Sequence, residues 1–94
     1  MGYSQLVINN LHVDHRSLNL WTNDNNQWKE EGTLEYGGSK TISLSSGHVY
    51  TFVAVDQGAI GCGRNDPQYT SCQRYTTPSI QGKGDGETLT IYVS

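Results

Sequence analysis

The sequence predicts an all-β protein, a single small antiparallel β-sandwich of six to seven strands occupying residues 1–94, and three observations carry that prediction. Apolar residues recur with a period of two almost throughout, which places successive side chains on opposite faces of a strand. Clusters of Asn, Asp, Gly and Ser interrupt that pattern about every 8–12 residues, the turn spacing of a sandwich or small barrel. Charged residues make up only 16% of the chain, beside 11 glycines and abundant Ser, Thr, Asn and Gln, whereas helical domains draw on Ala, Leu, Glu and Lys. A Greek-key or immunoglobulin-like arrangement with one intradomain disulfide is the expected form.

Taken in order, "SQLVINNLHV" predicts a first strand from about Gln5 to Leu11, with Leu6 and Ile8 on one face. "SLNLWT" predicts a second, turning Leu18 and Leu20 inward and Asn19 and Trp21 outward. "TNDNNQ" reads as a turn, because Asn and Asp bond their own backbone and tolerate left-handed conformations. The alternation lapses at "WKEEG", where one helical turn would fit, and resumes in "TLEYGG" with Leu34 and Tyr36 as a pair. "KTISL" places Ile42 and Leu44 on one side, and "SSGH" is a tight connection. "VYTFVAVD" is hydrophobic on both faces, as expected of a central strand covered on both sides. A strand around "QRYTTPSI" is the seventh, and "ETLTIYV" closes the chain with Leu89, Ile91 and Val93 alternating against Thr90 and Tyr92. The glycines at 82, 84 and 86 read as a flexible hairpin that needs positive φ.

Composition removes several functions. The net charge of −3, with six Lys and Arg spread thinly, supplies no basic stripe for nucleic acid. No apolar run approaches the ~20 residues of a membrane-spanning helix. Ninety-four residues bury roughly 60–65% of the unfolded chain's surface, enough for one core with little to spare. The one pair of cysteines therefore matters.

Cys62 and Cys72 bracket "GRNDPQYTS". Their spacing is neither that of a zinc pair nor that of a redox C-x-x-C, so a disulfide closing an 11-residue loop is the expectation. Such a closure is worth about 2.5–3 kcal/mol in the chain-entropy account. It places the protein in an oxidising compartment, secreted or extracellular. A stapled loop either stops a long connection from fraying or presents residues already ordered for a partner. In the second case Arg64, Asn65 and Tyr69 make the contacts, Arg and Tyr being common interface anchors.

Trp21 and Trp28 flank the Asn-rich turn, with Asn23 and Asp24 between them. Aromatic planes framed by amides and a carboxylate suit a glycan, the ring stacking on sugar C–H faces while the polar groups bond hydroxyls. The structural alternative is that both rings cover the sandwich or enter its core. A weak metal site could draw on His12, Asp14 and His48. No catalytic constellation stands out: Asp14, His15 and Ser17 are sequence neighbours, which rarely converge as a triad, and no G-x-S-x-G elbow is present. Both tryptophans precede both cysteines, so the Cys…Trp…Cys order of an immunoglobulin domain is absent.

The functional expectation is a non-enzymatic, cofactor-free, secreted or surface-exposed binding module for a glycan or a protein surface. It would act through the stapled loop and exposed aromatics. Two alternatives stand beside it: a secreted inhibitor or toxin-like effector using Arg64 and Tyr69, and a structural or virion-surface assembly domain joined through edge strands.

Overall fold

The computed structural model describes residues 2–56, 66–68 and 71–94, which form eight strands and no helix. They are β1 (Tyr3–Asn10), β2 (Leu18–Asp24), β3 (Gln27–Leu34), β4 (Ser39–Ser43), β5 (Val49–Val55), β6 (Arg74–Thr76), β7 (Ile80–Gln81) and β8 (Glu87–Val93). A three-stranded sheet has the order β4-β1-β8, and a five-stranded one the order β3-β2-β5-β6 with β7 also on β5. The protein is all-β with two sheets, compatible with a β-sandwich. No helix among the described residues is long and apolar enough to cross a membrane.

One pairing departs from the antiparallel expectation. β1 and β8 run parallel, Leu6 beside Leu89 and Ile8 beside Ile91. Parallel neighbours need a long crossover, and the chain supplies one by passing through the other sheet between its first and last strands.

A single apolar cluster joins the two sheets. Leu6, Ile8 and Val93 from the smaller sheet pack with Leu18, Leu20, Leu34, Phe52 and Ala54 from the larger. Next in the β1 alternation comes Asn10, fully buried. Its amide donates to the carbonyls of Arg16 and Leu34, both at 2.9 Å, and so closes one end of the core without an unpaired polar group.

The lapse at "WKEEG" has a local cause. β2 and β3 form a hairpin with a two-residue turn in which Asn25 and Asn26 hold φ of 52° and 65°. Successive left-handed residues make the turn type whose twist matches the flanking strands. After four pairs the register slips: Leu20 faces Gly32 but Trp21 faces Glu30, leaving Glu31 as a bulge. Gly32, at φ 101°, takes the conformation that such a bulge requires. The extra residue reverses the phase of the alternation, so a strand looked irregular. Tyr36 does not pair with Leu34. It stands exposed beyond β3 and stacks on His15 with ring centroids 4.2 Å apart.

β5 is central, as its composition requires, with β2 on one side and β6 then β7 on the other. Pro78 splits what could have been one strand into two, since proline cannot donate to a ladder. Thr77 spans the gap by donating its N–H to the Phe52 carbonyl at 3.0 Å and accepting the Phe52 N–H on its hydroxyl at 3.0 Å.

The glycine-rich segment after β7 is not a hairpin. It carries the chain from the five-stranded sheet to β8, and none of Gly82, Gly84 and Gly86 has positive φ. Gly82 is needed because a backbone carbonyl presses where a side chain would begin.

Candidate functional site

The outer face of the five-stranded sheet collects the side chains that alternate away from the core: Asn19, Trp21 and Asn23 on β2, with Val53 and Val55 opposite on β5. It is not a bare polar face. Val53 and Val55 are buried under Cys72, and half-buried Trp21 and Trp28 pack against the same cluster. Asn19, expected outside, does lie on this face yet is only 2% exposed, its amide donating to Glu30 Oε2 at 2.6 Å. The double-sided hydrophobicity of β5 is thereby explained. Its inner face meets the core and its outer face meets this second cluster.

The structure brings together three of the residues singled out in the sequence, Trp21, Trp28 and Cys72. Trp28 pairs directly with Asn23 across the hairpin. The Asn23 side-chain oxygen is buried with no hydrogen-bond partner. Cys62, Arg64, Asn65 and Tyr69 lie outside the described residues, so no cysteine pair is seen among those described. Cys72 itself is buried.

Beside a cleft of about 460 Å³ that runs from Thr22, Trp28 and Glu31 toward Ile42, two further clefts among the described residues adjoin this hairpin. One, of about 840 Å³, opens between Trp28 and the segment carrying Pro67, Gln68, Cys72, Arg74 and Thr76. Arg74 shapes it by donating to the carbonyls of Pro67 and Gln68 at 2.8 and 2.9 Å, which pins that segment against β6. The other, of about 480 Å³, lies at the hairpin tip between Asn23–Asn26 and the turn before β5. There Asp24 faces His48, Nδ1 lying 2.9 Å from Oδ2. The aromatic ring at this second cleft, Tyr50, is buried and stacked between His48 and Phe52. Its faces are spent. Trp28, which walls the first cleft, is the ring with surface to offer.

At the opposite end of β5 sits a polar cluster that sequence reasoning missed. Asp56 is fully buried. It accepts Arg16 Nε at 2.9 Å on each oxygen and Arg16 Nη2 at 2.6 Å on Oδ2. His12 Nε2 is 3.4 Å from the same oxygen and 2.8 Å from the Tyr75 hydroxyl. The backbone N–H of Asp14 donates to His12 Nδ1 at 3.0 Å, so that nitrogen carries no proton and the ring N–H sits on Nε2. Asp56 also donates its N–H to the Gln73 carbonyl at 2.9 Å. Residues on either side of the cysteine-bearing segment are thus tied to each other and to the loop after β1. Only the "VD" that closes β5 hinted at this, a carboxylate ending an apolar strand.

The cluster separates the candidate metal ligands. His12 is turned inward, Asp14 is exposed beside Arg16, and His48 lies at the far end of the sheet on Asp24. Among the described residues no three His, Cys, Asp or Glu side chains are placed to share a metal ion. The Asp56 carboxylate holds the Arg16 guanidinium above its ordinary range, chiefly through their hydrogen bonds. Burial, and then the Asp56 charge, push the Tyr75 hydroxyl above its ordinary value of 10.0.

The Tyr75 shift predicts an alkaline limb. Above pH 10 the unfolded chain loses the Tyr75 proton while the folded one keeps it, so folding stability falls as pH rises. Denaturant melts at pH 9 and 11 should show a smaller loss for Tyr75→Phe than for the wild type, about pH 10 being where an unperturbed tyrosine titrates. Equal losses would remove Tyr75 as the cause.

No protein-family model matches this chain, and neither does any curated protein or solved structure.

Proposed function

We propose that the protein is a non-catalytic binding module that holds a glycan on the outer face of its five-stranded sheet, with Trp28 as the stacking plane. The supporting observation is the meeting of Trp28, Trp21 and Cys72 on one face, beside a cleft. A cleft of about 840 Å³ falls within the usual range for small-molecule sites, ~300–1,000 Å³. Its wall combines a half-buried indole with the amide of Gln68 and the hydroxyls of Ser71 and Thr76.

In this reading the fold is a Greek-key sandwich of secreted type, and Cys62 is joined to Cys72. Cys72 is buried against the indoles and is not a free thiol. A bridge there would anchor the loop that carries Arg64, Asn65 and Tyr69 next to the Trp28 cleft. Ordering that loop in advance lowers the entropy cost of capturing a ligand.

Glycan-array and calorimetric binding by wild type and Trp28→Ala test the assignment. The variant should fold normally by circular dichroism and lose about tenfold or more in affinity, the scale of truncating an anchoring aromatic. Undiminished glycan binding by Trp28→Ala sinks the site. Capture of a protein with no glycan bound moves the reading to a protein surface.

A further inference from the structure

Edge strands offer unpaired backbone groups, and proteins blunt them with charge, bulges, proline or brevity. Among the described residues three of the four sheet edges carry such protection. β3 has Lys29, Glu30, Glu31 and its bulge, β4 has Lys40, and the opposite side of the larger sheet offers only three-residue β6 with Arg74 and two-residue β7. β8 differs. It is seven residues long, and from Thr88 to Val93 it holds no charge, glycine or proline.

The backbone phase of β8 follows from one bond. Leu11 N–H donates to the Val93 carbonyl at 2.7 Å, continuing the ladder between β1 and β8. Strand backbone groups alternate in direction, so Val93, Ile91 and Leu89 face β1, while Thr88, Thr90 and Tyr92 direct theirs to the open side.

We propose that this open edge pairs with the same edge of a second copy, in an antiparallel β8–β8 ladder centred on Thr90. That register, and no neighbouring one, engages all three free residues of each copy at once. Thr90 meets the partner's Thr90, and Thr88 and Tyr92 meet the partner's Tyr92 and Thr88. Thr–Thr and aromatic–β-branched pairs of this kind stabilise antiparallel strands. On the inner face, Leu89 meets the partner's Ile91. Both are partly buried side chains already packed against the core, and the pairing finishes their burial. No like charges oppose each other, since Glu87 falls opposite the partner's Val93. The contact is isologous and uses up the edge in both copies, so growth stops at two.

Sedimentation velocity of the whole chain, from micromolar to millimolar concentration, tests this beside Thr90→Lys. The wild type should pass from one copy to two with rising concentration and go no further. Thr90→Lys, which sets two ammonium groups face to face, should weaken that step by at least about tenfold. Its melting temperature at low concentration should match the wild type. Amide exchange gives a second readout: Thr88, Thr90 and Tyr92 should become protected only in the dimer. A wild type that stays monomeric, a dimer indifferent to Thr90→Lys, assembly beyond two copies, or a dimer that leaves these amides exposed overturns the proposal.

Discussion

Asp56→Ala is expected to lower folding stability by about 3 kcal/mol, corresponding to a drop of roughly 12–24 °C in melting temperature for a domain of this size. The carboxylate is fully buried and receives three short contacts from the Arg16 guanidinium. Hydrogen bonds to charged groups are worth about 1.5–3 kcal/mol each, more than neutral ones. Two features hold the total down. The Arg16 side chain is 35% exposed, so once released it finds water and does not become a stranded charge. The ion pair it forms with Asp14, itself 56% exposed, contributes little. What cannot recover is His12, 2% exposed, whose Nε2–H keeps Tyr75 but loses the carboxylate behind it. Asp56→Asn retains the shape and part of the acceptor capacity, so it should cost about half as much. Chemical denaturation under oxidising conditions decides the matter. A loss under about 1 kcal/mol for Asp56→Ala would mean that the cluster is peripheral to folding.

The elements that sequence periodicity located best are those with one buried and one exposed face. β8 alternates Leu89, Ile91 and Val93 against exposed Thr88, Thr90 and Tyr92, and the eye needs nothing more. β5 was recognisable as central for the opposite reason, having no polar face. What periodicity could not convey is a change of phase. Glu31 reverses the pattern midway along β3, and nothing in "WKEEG" distinguishes a bulge from a turn except Gly32. Strand direction was equally opaque. The parallel pairing of β1 with β8 depends on where the chain travels between residues 11 and 86, and both strands would alternate identically in an antiparallel sheet.

The site was legible in part. Trp21 alternates outward with Asn19 as a period of two predicts, but its half-burial against a second apolar cluster comes from a segment remote in sequence. Trp28 and Cys72 are 44 positions apart, and no local pattern connects them. Asn23 and Asp24 are neighbours in sequence. In the strand they diverge, Asn23 to the Trp28 side and Asp24 to His48. His12 and Asp56 form the extreme case. Each looks ordinary alone, and only the antiparallel return of β5 beside β2 carries Asp56 to the loop that follows β1.

Gly82→Ala should cost about 3 kcal/mol although it adds one methyl group to a residue of ordinary φ. The added Cβ would run into the backbone carbonyl oxygen of Ser45, and it would stand 3.0 Å from that carbonyl's carbon and 3.2 Å from Tyr50 Cε2. A rotating side chain could yield, but these neighbours cannot. Gly82 donates its N–H to the His48 carbonyl at 2.8 Å and accepts from Gly47 at 3.2 Å. Ser45 N–H donates to the Tyr50 hydroxyl at 2.7 Å. On the other flank, Lys83 N–H donates to the Tyr3 carbonyl at 2.8 Å. The turn before β5 and the crossover into β8 are therefore one hydrogen-bonded knot, and a methyl group there forces the two chains apart. Gly84→Ala is the internal control: its nearest atom, Ser46 Cβ, is 3.8 Å away, an ordinary contact, and its change should stay within about 0.5 kcal/mol. Urea titration of both variants measures the difference directly. Equal stability of the two would show that the crossover relaxes freely, and that close backbone approach is not what reserves position 82 for glycine.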